Sequence, residues 1–184
     1  MTAFLRRPAV LVGLAVAAVL AVVALVLFEP WKLVVDRTVD EALPGATAPA
    51  VPAGEGPKST AAAPAGPVEL FRGELISHEH ASSGSVVVLG LPDGSRVLRL
   101  EDLDTSDGPL LKVWLTDAPV IEGRDGWFVF DDGAVVDLGE LKGNIGSSNY
   151  PVPADADLSR LTSVSIWCER FAVSFAAAAL QPVA

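Results

Sequence analysis

The sequence predicts an all-β fold, an antiparallel β-sandwich of the jelly-roll or immunoglobulin type, which follows a single N-terminal transmembrane helix and a disordered linker. Three observations support this prediction. An unbroken apolar run lies near the N-terminus, a segment rich in proline and alanine follows it, and from residue 68 onward short β-rich runs alternate with turn signals. Because that last region keeps no sustained 3.6-residue apolar period before its C-terminus, helices packed on a parallel sheet are not expected.

The apolar run covers residues 9–28, all of which are apolar or glycine. About 20 such residues are needed for a helix to cross the hydrocarbon core of a bilayer. Arg6 and Arg7 precede the run, and Trp31 and Lys32 follow it, as is typical of residues at the two membrane interfaces. The sequence therefore predicts one transmembrane helix at 9–28.

The orientation of this helix follows from the distribution of positive charge. Two arginines and the α-amino group precede the helix, and Lys32 and Arg37 follow it, which is a small bias toward a cytoplasmic N-terminus. We therefore expect a cytoplasmic tail at 1–8 and a single-pass protein of the cell membrane with its C-terminal domain extracytoplasmic. A cleaved signal peptide is the alternative, but its apolar core is normally about 7 to 15 residues long, and no small-x-small cleavage site follows Phe28.

Residues 42–67 consist mainly of alanine, proline and glycine, with almost no large apolar side chain. Such a segment cannot offset the entropy lost on ordering. We expect a disordered linker that acts as a tether and, as a coil, holds the domain about 30 Å from the membrane. The juxtamembrane segment 29–41 has mixed periodicity and predicts no particular element, so the folded domain is expected at 68–180.

The β-rich runs of this domain predict a series of short strands. They are residues 68–77, 86–91, 96–101, 110–116, 127–130, 134–138 and 163–175. Pro92-Asp93-Gly94 predicts a hairpin turn between the second and third runs. Asp131-Asp132-Gly133 predicts another hairpin, between 127–130 and 134–138.

Charge and cysteine content exclude several classes of function. Residues 68–184 carry eight Lys/Arg against eighteen Asp/Glu, so this region would repel nucleic acid and anionic surfaces, whereas cations, neutral saccharides and basic proteins are compatible with it. Cys168 is the single cysteine. A single cysteine excludes an intramolecular disulfide and a multi-cysteine zinc site. No nucleophile signature of a hydrolase is present.

Two clusters of polar residues are compatible with metal binding, each with a simpler alternative. His78 and His80 are two residues apart, which would place both imidazoles on one face of a strand, but no third ligand can be named and an exposed strand end is the alternative. Asp102, Asp104 and Asp107 lack the glycine and glutamate positions of an EF-hand, which favours a solvated acidic loop. We therefore assign no metal site.

Cys168 stands in a strand-like alternation. Val164, Ile166 and Cys168 alternate with more polar or bulkier neighbours, so the thiol is expected to face the core. A buried free cysteine commonly serves as a small apolar side chain, whereas a redox cysteine needs a lowered pKa. If the strand continues, Arg170 lies on the same face and stabilises a thiolate.

Four segments carry a resemblance to a known family. They are GELISHEHASSG (73–84), TSDGPLLKVWL (105–115), VDLGELKGNIGSSNYPVP (136–153) and VSIWCERFAVSF (164–175). Together they resemble the DM-thirteen domain family, the electron-transfer domain of Skeletor-type animal proteins and of many bacterial membrane-anchored proteins. In this resemblance the family's cysteine falls on Cys168, its opening histidine on His80, and its glycine-rich loop on residues 141–150.

The resemblance implies an all-β sandwich and a redox role for the cysteine, which in animals is partnered with DOMON and b-type cytochrome domains. It makes Cys168 the candidate catalytic residue, and the further candidates for the site are His80, Asn149, Tyr150 and Arg170. Two functions remain as alternatives: electron transfer with a membrane electron-transfer protein, or non-catalytic binding of an envelope component. The residues assign no enzyme class and name no cofactor, since few side chains could serve as axial ligands of a haem.

Overall fold

The computed structural model describes residues 8–45 and 66–183. In the first range, helix α1 (Pro8–Phe28) is followed by a 3₁₀ turn (Pro30–Val34) and strand β1 (Thr38–Asp40). The second range contains β2 (Val68–Glu74), β3 (Ile76–Ser77), β4 (Ser83–Gly90), β5 (Arg96–Asp104), β6 (Leu111–Thr116), a 3₁₀ turn (Arg124–Gly126), β7 (Val135–Glu140), β8 (Ile145–Val152), β9 (Ser163–Cys168), β10 (Val173–Ala179) and β11 (Gln181–Pro182).

The strands form two sheets. The first sheet has the order β1-β8-β5-β4-β2-β11, and the second has the order β3-β10-β9-β6-β7. The pairing of β1 with β8 is parallel and the other described pairings are antiparallel. The predicted all-β sandwich behind one apolar helix is therefore confirmed.

The main core lies between the sheets and follows the alternation of the strands. In β9, Val164, Ile166 and Cys168 belong to this core, and they meet side chains of the first sheet. The valines and leucines of β4 and β5 that face them are fully buried: Val86, Val88, Leu98 and Leu100. Large apolar side chains at every second position thus fix which face of each strand turns inward.

The outer face of the second sheet is also covered, by the segment between β6 and β7. Phe130 is fully buried there, its ring meets Trp167 edge-on with 6.4 Å between the ring centroids, and Trp167 stacks on Trp114. The predicted strand at 127–130 is wrong, because this segment is a series of turns whose aromatic side chains cover the sheet. The predicted hairpin at 131–133 is wrong for the same reason, since β7 pairs with β6.

The turn at 92–94 is confirmed, because β4 and β5 form an antiparallel pair that closes at Gly90 and Arg96. The run 163–175 divides instead into β9 and β10, which are separated by the turn 169–172. Residues 145–150, which the resemblance placed in a glycine-rich loop at 141–150, belong to β8. Strand β8 escaped prediction because its glycine, serine, asparagine and proline content is typical of loops.

The juxtamembrane segment belongs to the folded domain, because strand β1 adds to the edge of the first sheet. Thr38 is in register with Ile145, and Asp40 with Ser147. Gly146 explains how the two strands approach so closely: its φ is 99°, and a Cβ built there would overlap the carbonyl oxygen of Val39.

Polar contacts fix β1 at both ends. Arg37 pairs with the buried Asp107 at 3.0 Å, and its backbone N–H donates to Asn144. At the other end, the carboxylate of Glu41 accepts hydrogen bonds from Lys142 Nζ at 2.8 Å and from the backbone N–H of Asn149 at 2.7 Å. Strand β1 has only three residues, so the side chains that flank it supply additional bonds to the domain.

The expected order of membrane, tether and domain therefore needs correction. Only residues 29–35 lie between helix α1 and the first residue bonded to the sandwich, Asp36, whose carboxylate accepts from Asn144. The linker at 42–67 joins β1 to β2 within the domain and does not separate the domain from helix α1. Residues 46–65 lie outside the described residues, so their disorder stays a prediction.

Helix α1 is long and apolar enough to cross a membrane, judged by length and composition, and none of its residues is buried by the rest of the chain. A signal sequence near an N-terminus meets the same criteria. The helix is thus compatible with a single-pass anchor.

Candidate functional site

A pocket lies at the end of the sandwich where helix α1 meets the domain. Its volume is about 320 Å³, at the lower end of the range for small-molecule sites. We call it the α1 pocket, and its lining is mostly apolar and aromatic: Phe28, Pro30, Glu79, His80, Pro109, Phe171, Val173 and Phe175. Sequence reasoning missed most of this set, because the side chains come from one helix end and several loops.

Cys168 lies directly behind the wall of the α1 pocket. Its thiol is fully buried and donates to the carbonyl oxygen of Pro109 at 3.3 Å. The residue is also in register with Val173 across the β9–β10 pair. Because Pro109 and Val173 both line the pocket, they separate the sulfur from it. The prediction that Cys168 faces the core is confirmed.

The surroundings of Cys168 disfavour a thiolate in the closed structure. Burial raises the pKa of the Cys168 thiol, and the negative charge of Glu79 adds to this effect. The backbone N–H groups of Phe171 and Arg170 oppose the rise, and so does the Arg170 charge, but burial is the largest effect. The lowered pKa that a redox cysteine needs is therefore not found in the folded state.

Arg170 does not continue the strand as expected. Strand β9 ends at Cys168, and Arg170 is exposed in the turn that follows. The guanidinium lies in water, where its charge is screened, and its influence on the sulfur is correspondingly the smallest of those acting on it. The alternation of β9 predicted the cysteine correctly because that part of the chain is a strand, whereas the turn reorients what comes next.

His80 is part of the α1 pocket. Its ring stands over Phe175, with 3.9 Å between the ring centroids, and its Nε2 meets the carboxylate of Glu79. The structure therefore places His80 in the pocket whose wall covers Cys168. Because His80 and Glu79 supply the polar groups of an otherwise apolar lining, they are the groups that would orient an occupant.

His78 is held apart from His80, on the other face of β10. Its Nε2 lies 3.2 Å from the carbonyl oxygen of Ile121, and its Nδ1 lies 2.9 Å from the hydroxyl of Ser174. Because a carbonyl only accepts, Nε2 carries the proton in the neutral ring, which leaves Nδ1 as an acceptor that faces the Ser174 hydroxyl. The predicted common face is wrong, since strand β3 ends at Ser77. The described residues contain no group of three or more histidine, cysteine or acidic side chains that could hold a metal ion.

Acidification is expected to destabilise the domain through His78. Burial lowers the pKa of this histidine, so the unfolded chain takes up a proton near the ordinary pKa of about 6.5 and the folded chain only at lower pH. The contribution of neutral His78 to the free energy of unfolding is complete above the ordinary pKa of about 6.5. It is lost as the pH falls from there toward the lower pKa of the folded state. In thermal unfolding of the full chain in detergent between about pH 7.5 and 5, the melting temperature of His78→Gln should fall less steeply than that of the parent. Parallel pH profiles would contradict the assignment.

Asn149 and Tyr150 belong to the first sheet, and neither lines the α1 pocket. The buried hydroxyl of Tyr150 accepts from the backbone N–H of Lys142 at 3.0 Å, and the Asn149 side chain bonds to Arg99 and to the carbonyl of Ala42. Their contacts therefore hold β8 and the chain after β1 in place. The structure does not bring these two residues together with Cys168 through any contact among the described residues.

The comparisons with known proteins agree with the resemblance in the sequence. The model of the family Electron transfer DM13 matches residues 74–180, which run from the end of β2 through β10 and include His80 and Cys168. No curated protein and no solved structure matches the chain. Since the family match covers more than half of the 184 residues, the chain belongs to the Electron transfer DM13 family.

Proposed function

We propose that this protein is a membrane-anchored, extracytoplasmic electron-transfer domain whose redox group is the thiol of Cys168. The membership in an electron-transfer family supports a redox role in general. The observation that carries the assignment to this residue is the position of the thiol, immediately behind Pro109 and Val173 in the wall of the α1 pocket. The length and apolar composition of helix α1 support the membrane anchor, and the bias of positive charge supports an extracytoplasmic domain.

Burial of the thiol makes its reactivity conditional on a local opening. Burial covers the sulfur and raises its pKa, so the thiol stays protonated and is protected from oxidants in the surrounding water. The cover consists partly of the turn 169–172, whose residues are exposed. Ala172 has a φ of 49° there, a left-handed conformation that costs about 1 kcal/mol, so this turn is a favourable place for opening.

Once the turn opens, the chemistry available to a single cysteine is exchange with a disulfide of a partner. The Cys168 thiol loses its proton to solvent, and the thiolate attacks one sulfur of the partner disulfide. A bond forms between Cys168 and that sulfur, while the other partner sulfur leaves with the electron pair of the broken bond. The partner in this proposal is a membrane electron-transfer protein, with a disulfide as the group that exchanges.

Non-catalytic binding of an envelope component is the second candidate function, and the complete burial of the thiol with a raised pKa favours it. In that case Cys168 is a small apolar core residue. The two functions differ in whether the folded protein exposes the sulfur.

Thiol modification of the full chain in detergent distinguishes them. The matched control carries Val164→Cys and Cys168→Ala, because Val164 is equally buried on the same face of β9 but lies farther from the pocket. If opening is local, a dipyridyl disulfide should modify Cys168 at least about tenfold faster than the control thiol. Equal rates, or modification of Cys168 only in denaturant, would leave the binding function as the better account.

A further inference from the structure

The short connection between helix α1 and the sandwich keeps the domain close to the membrane. Residues 29–35 make this connection, and the 3₁₀ turn Pro30–Val34 takes up most of it. At about 2 Å per residue in such a turn, the connection spans at most about 20 Å. The end of the sandwich that carries the α1 pocket therefore faces the place where the helix leaves the bilayer.

Two exposed apolar side chains lie at this end. Phe171 is 50% exposed and Leu110 is 37% exposed, and the backbone N–H of Glu169 donates to the carbonyl of Leu110, which joins their two loops. Leu110 also has a φ of 56°, an uncommon conformation for a large side chain. An exposed apolar side chain held in an uncommon backbone conformation is a candidate for contact with a surface outside the chain.

The depth of these side chains follows from the contact between Phe28 and Phe171. The two rings are stacked with centroids 5.8 Å apart and an angle of 10° between their planes. Phe28 is the last residue of helix α1 and therefore marks the boundary of the hydrocarbon core when the helix spans the bilayer. Phe171 must then lie at the same level.

The residues around this contact suit the lipid interface. Trp31 is exposed beside the helix end, Lys32 pairs there with Glu29 at 2.8 Å, and the exposed Arg170 directly precedes Phe171. The acidic character of the domain gives no attraction to anionic lipid, so apolar contact with the interface is the driving force. We propose that the apolar tip, made of Leu110, Phe171 and Ala172, inserts into the interface of a zwitterionic bilayer and that the α1 pocket consequently opens at the membrane surface.

This inference rests on the membrane anchoring of the proposed function, and it is independent of the redox role of Cys168. It also changes how the pocket is reached, because an occupant or partner would approach along the membrane and not from bulk water. A partner that shares the bilayer gains from this arrangement, since both proteins are held at one level.

Accessibility of nitroxide labels in phosphatidylcholine nanodiscs tests the inference. Single labels are placed on the full chain in a Cys168→Ala background, at Phe171→Cys and at Ala172→Cys, so that one tip variant retains the aromatic ring. Trp31→Cys reports the helix end. Ser159→Cys is the aqueous reference, because it is exposed in the connection that leads to the opposite end of β9. Collisions with a water-soluble nickel chelate should be at least about threefold less frequent at both tip positions than at Ser159, and similar to those at Trp31.

The labels separate failure of the tip from failure of the anchor. If the labels at Phe171 and Ala172 collide as often as the label at Ser159 while the label at Trp31 is shielded, the helix spans and the tip does not insert, which overturns the inference alone. If the label at Trp31 is also fully accessible, the anchoring on which the inference rests is overturned as well.

Discussion

Replacing Gly146 with alanine is expected to release strand β1 from the first sheet and to lower the free energy of unfolding by about 3 kcal/mol or more. Two effects add at this position. An alanine at a φ of 99° is strained, and its Cβ would overlap the carbonyl oxygen of Val39 at the centre of β1. Since Gly146 pairs with Val39, the overlap can be relieved only if the strand moves away.

Gly139→Ala is the matched control for this prediction. Gly139 has a φ of 116°, but a Cβ there meets nothing within 4 Å, so the control loses only about 1 kcal/mol from backbone strain. Denaturant unfolding of the full chain in detergent measures both losses. Hydrogen exchange at the Glu41 amide, which donates to Ser147, should accelerate only in the Gly146 variant. Equal losses in the two variants, with Glu41 still protected, would show that β1 does not depend on the glycine.

The sequence predicted strands whose apolar composition and turn signals are local. It did not predict elements whose structure depends on contacts with distant parts of the chain. The runs at 86–91 and 96–101 are rich in valine and leucine and are joined by a turn signal, and they form most of β4 and the start of β5. The run 127–130 is also apolar, but Val129 and Phe130 pack on the outer face of the second sheet and the segment forms no strand. Strand β1 has three residues and a partner more than 100 positions away, so no local pattern could reveal it.

In the candidate site, the sequence likewise predicted the local feature and not the contacts between distant segments. The alternation of β9 gave the direction of Cys168, because that direction depends only on local backbone geometry. The burial of the thiol behind Pro109 depends on a loop 59 positions away, and no sequence pattern reports such a contact. The contribution of Phe28 was hidden for another reason, since a residue of an apolar span is normally assigned to lipid and not to a pocket.

Cys168 is buried next to the turn 169–172. Whether the thiol is exposed by local opening of that turn or by unfolding of the whole domain decides whether it can act in the folded protein. If Cys168 meets reagents only when the whole domain unfolds, its reactivity depends on global stability. If the turn 169–172 opens by itself, reactivity depends on that turn alone. A substitution that changes global stability at a distance from the turn therefore distinguishes the two routes.

Phe130→Ala is such a substitution, and it is expected to lower the free energy of unfolding by about 3 to 5 kcal/mol, because the ring is fully buried against Trp167. Phe128→Ala is the matched control from the same segment, since Phe128 is 46% exposed and should cost less than about 1 kcal/mol.

The rate at which a thiol reagent modifies Cys168 in these two variants then identifies the route. Exposure by global unfolding would accelerate modification in Phe130→Ala by about 100-fold or more, since each 1.4 kcal/mol corresponds to a factor of ten in the population of the open state. Exposure by the turn should leave the rate within about threefold of the parent, because Phe130 covers the outer face of the second sheet and Cys168 faces the core on the other side. We expect the second result, with Phe128→Ala indistinguishable from the parent in both measurements. An acceleration that follows the loss of stability would contradict a redox role for Cys168 in the folded protein and would leave the thiol as a part of the core.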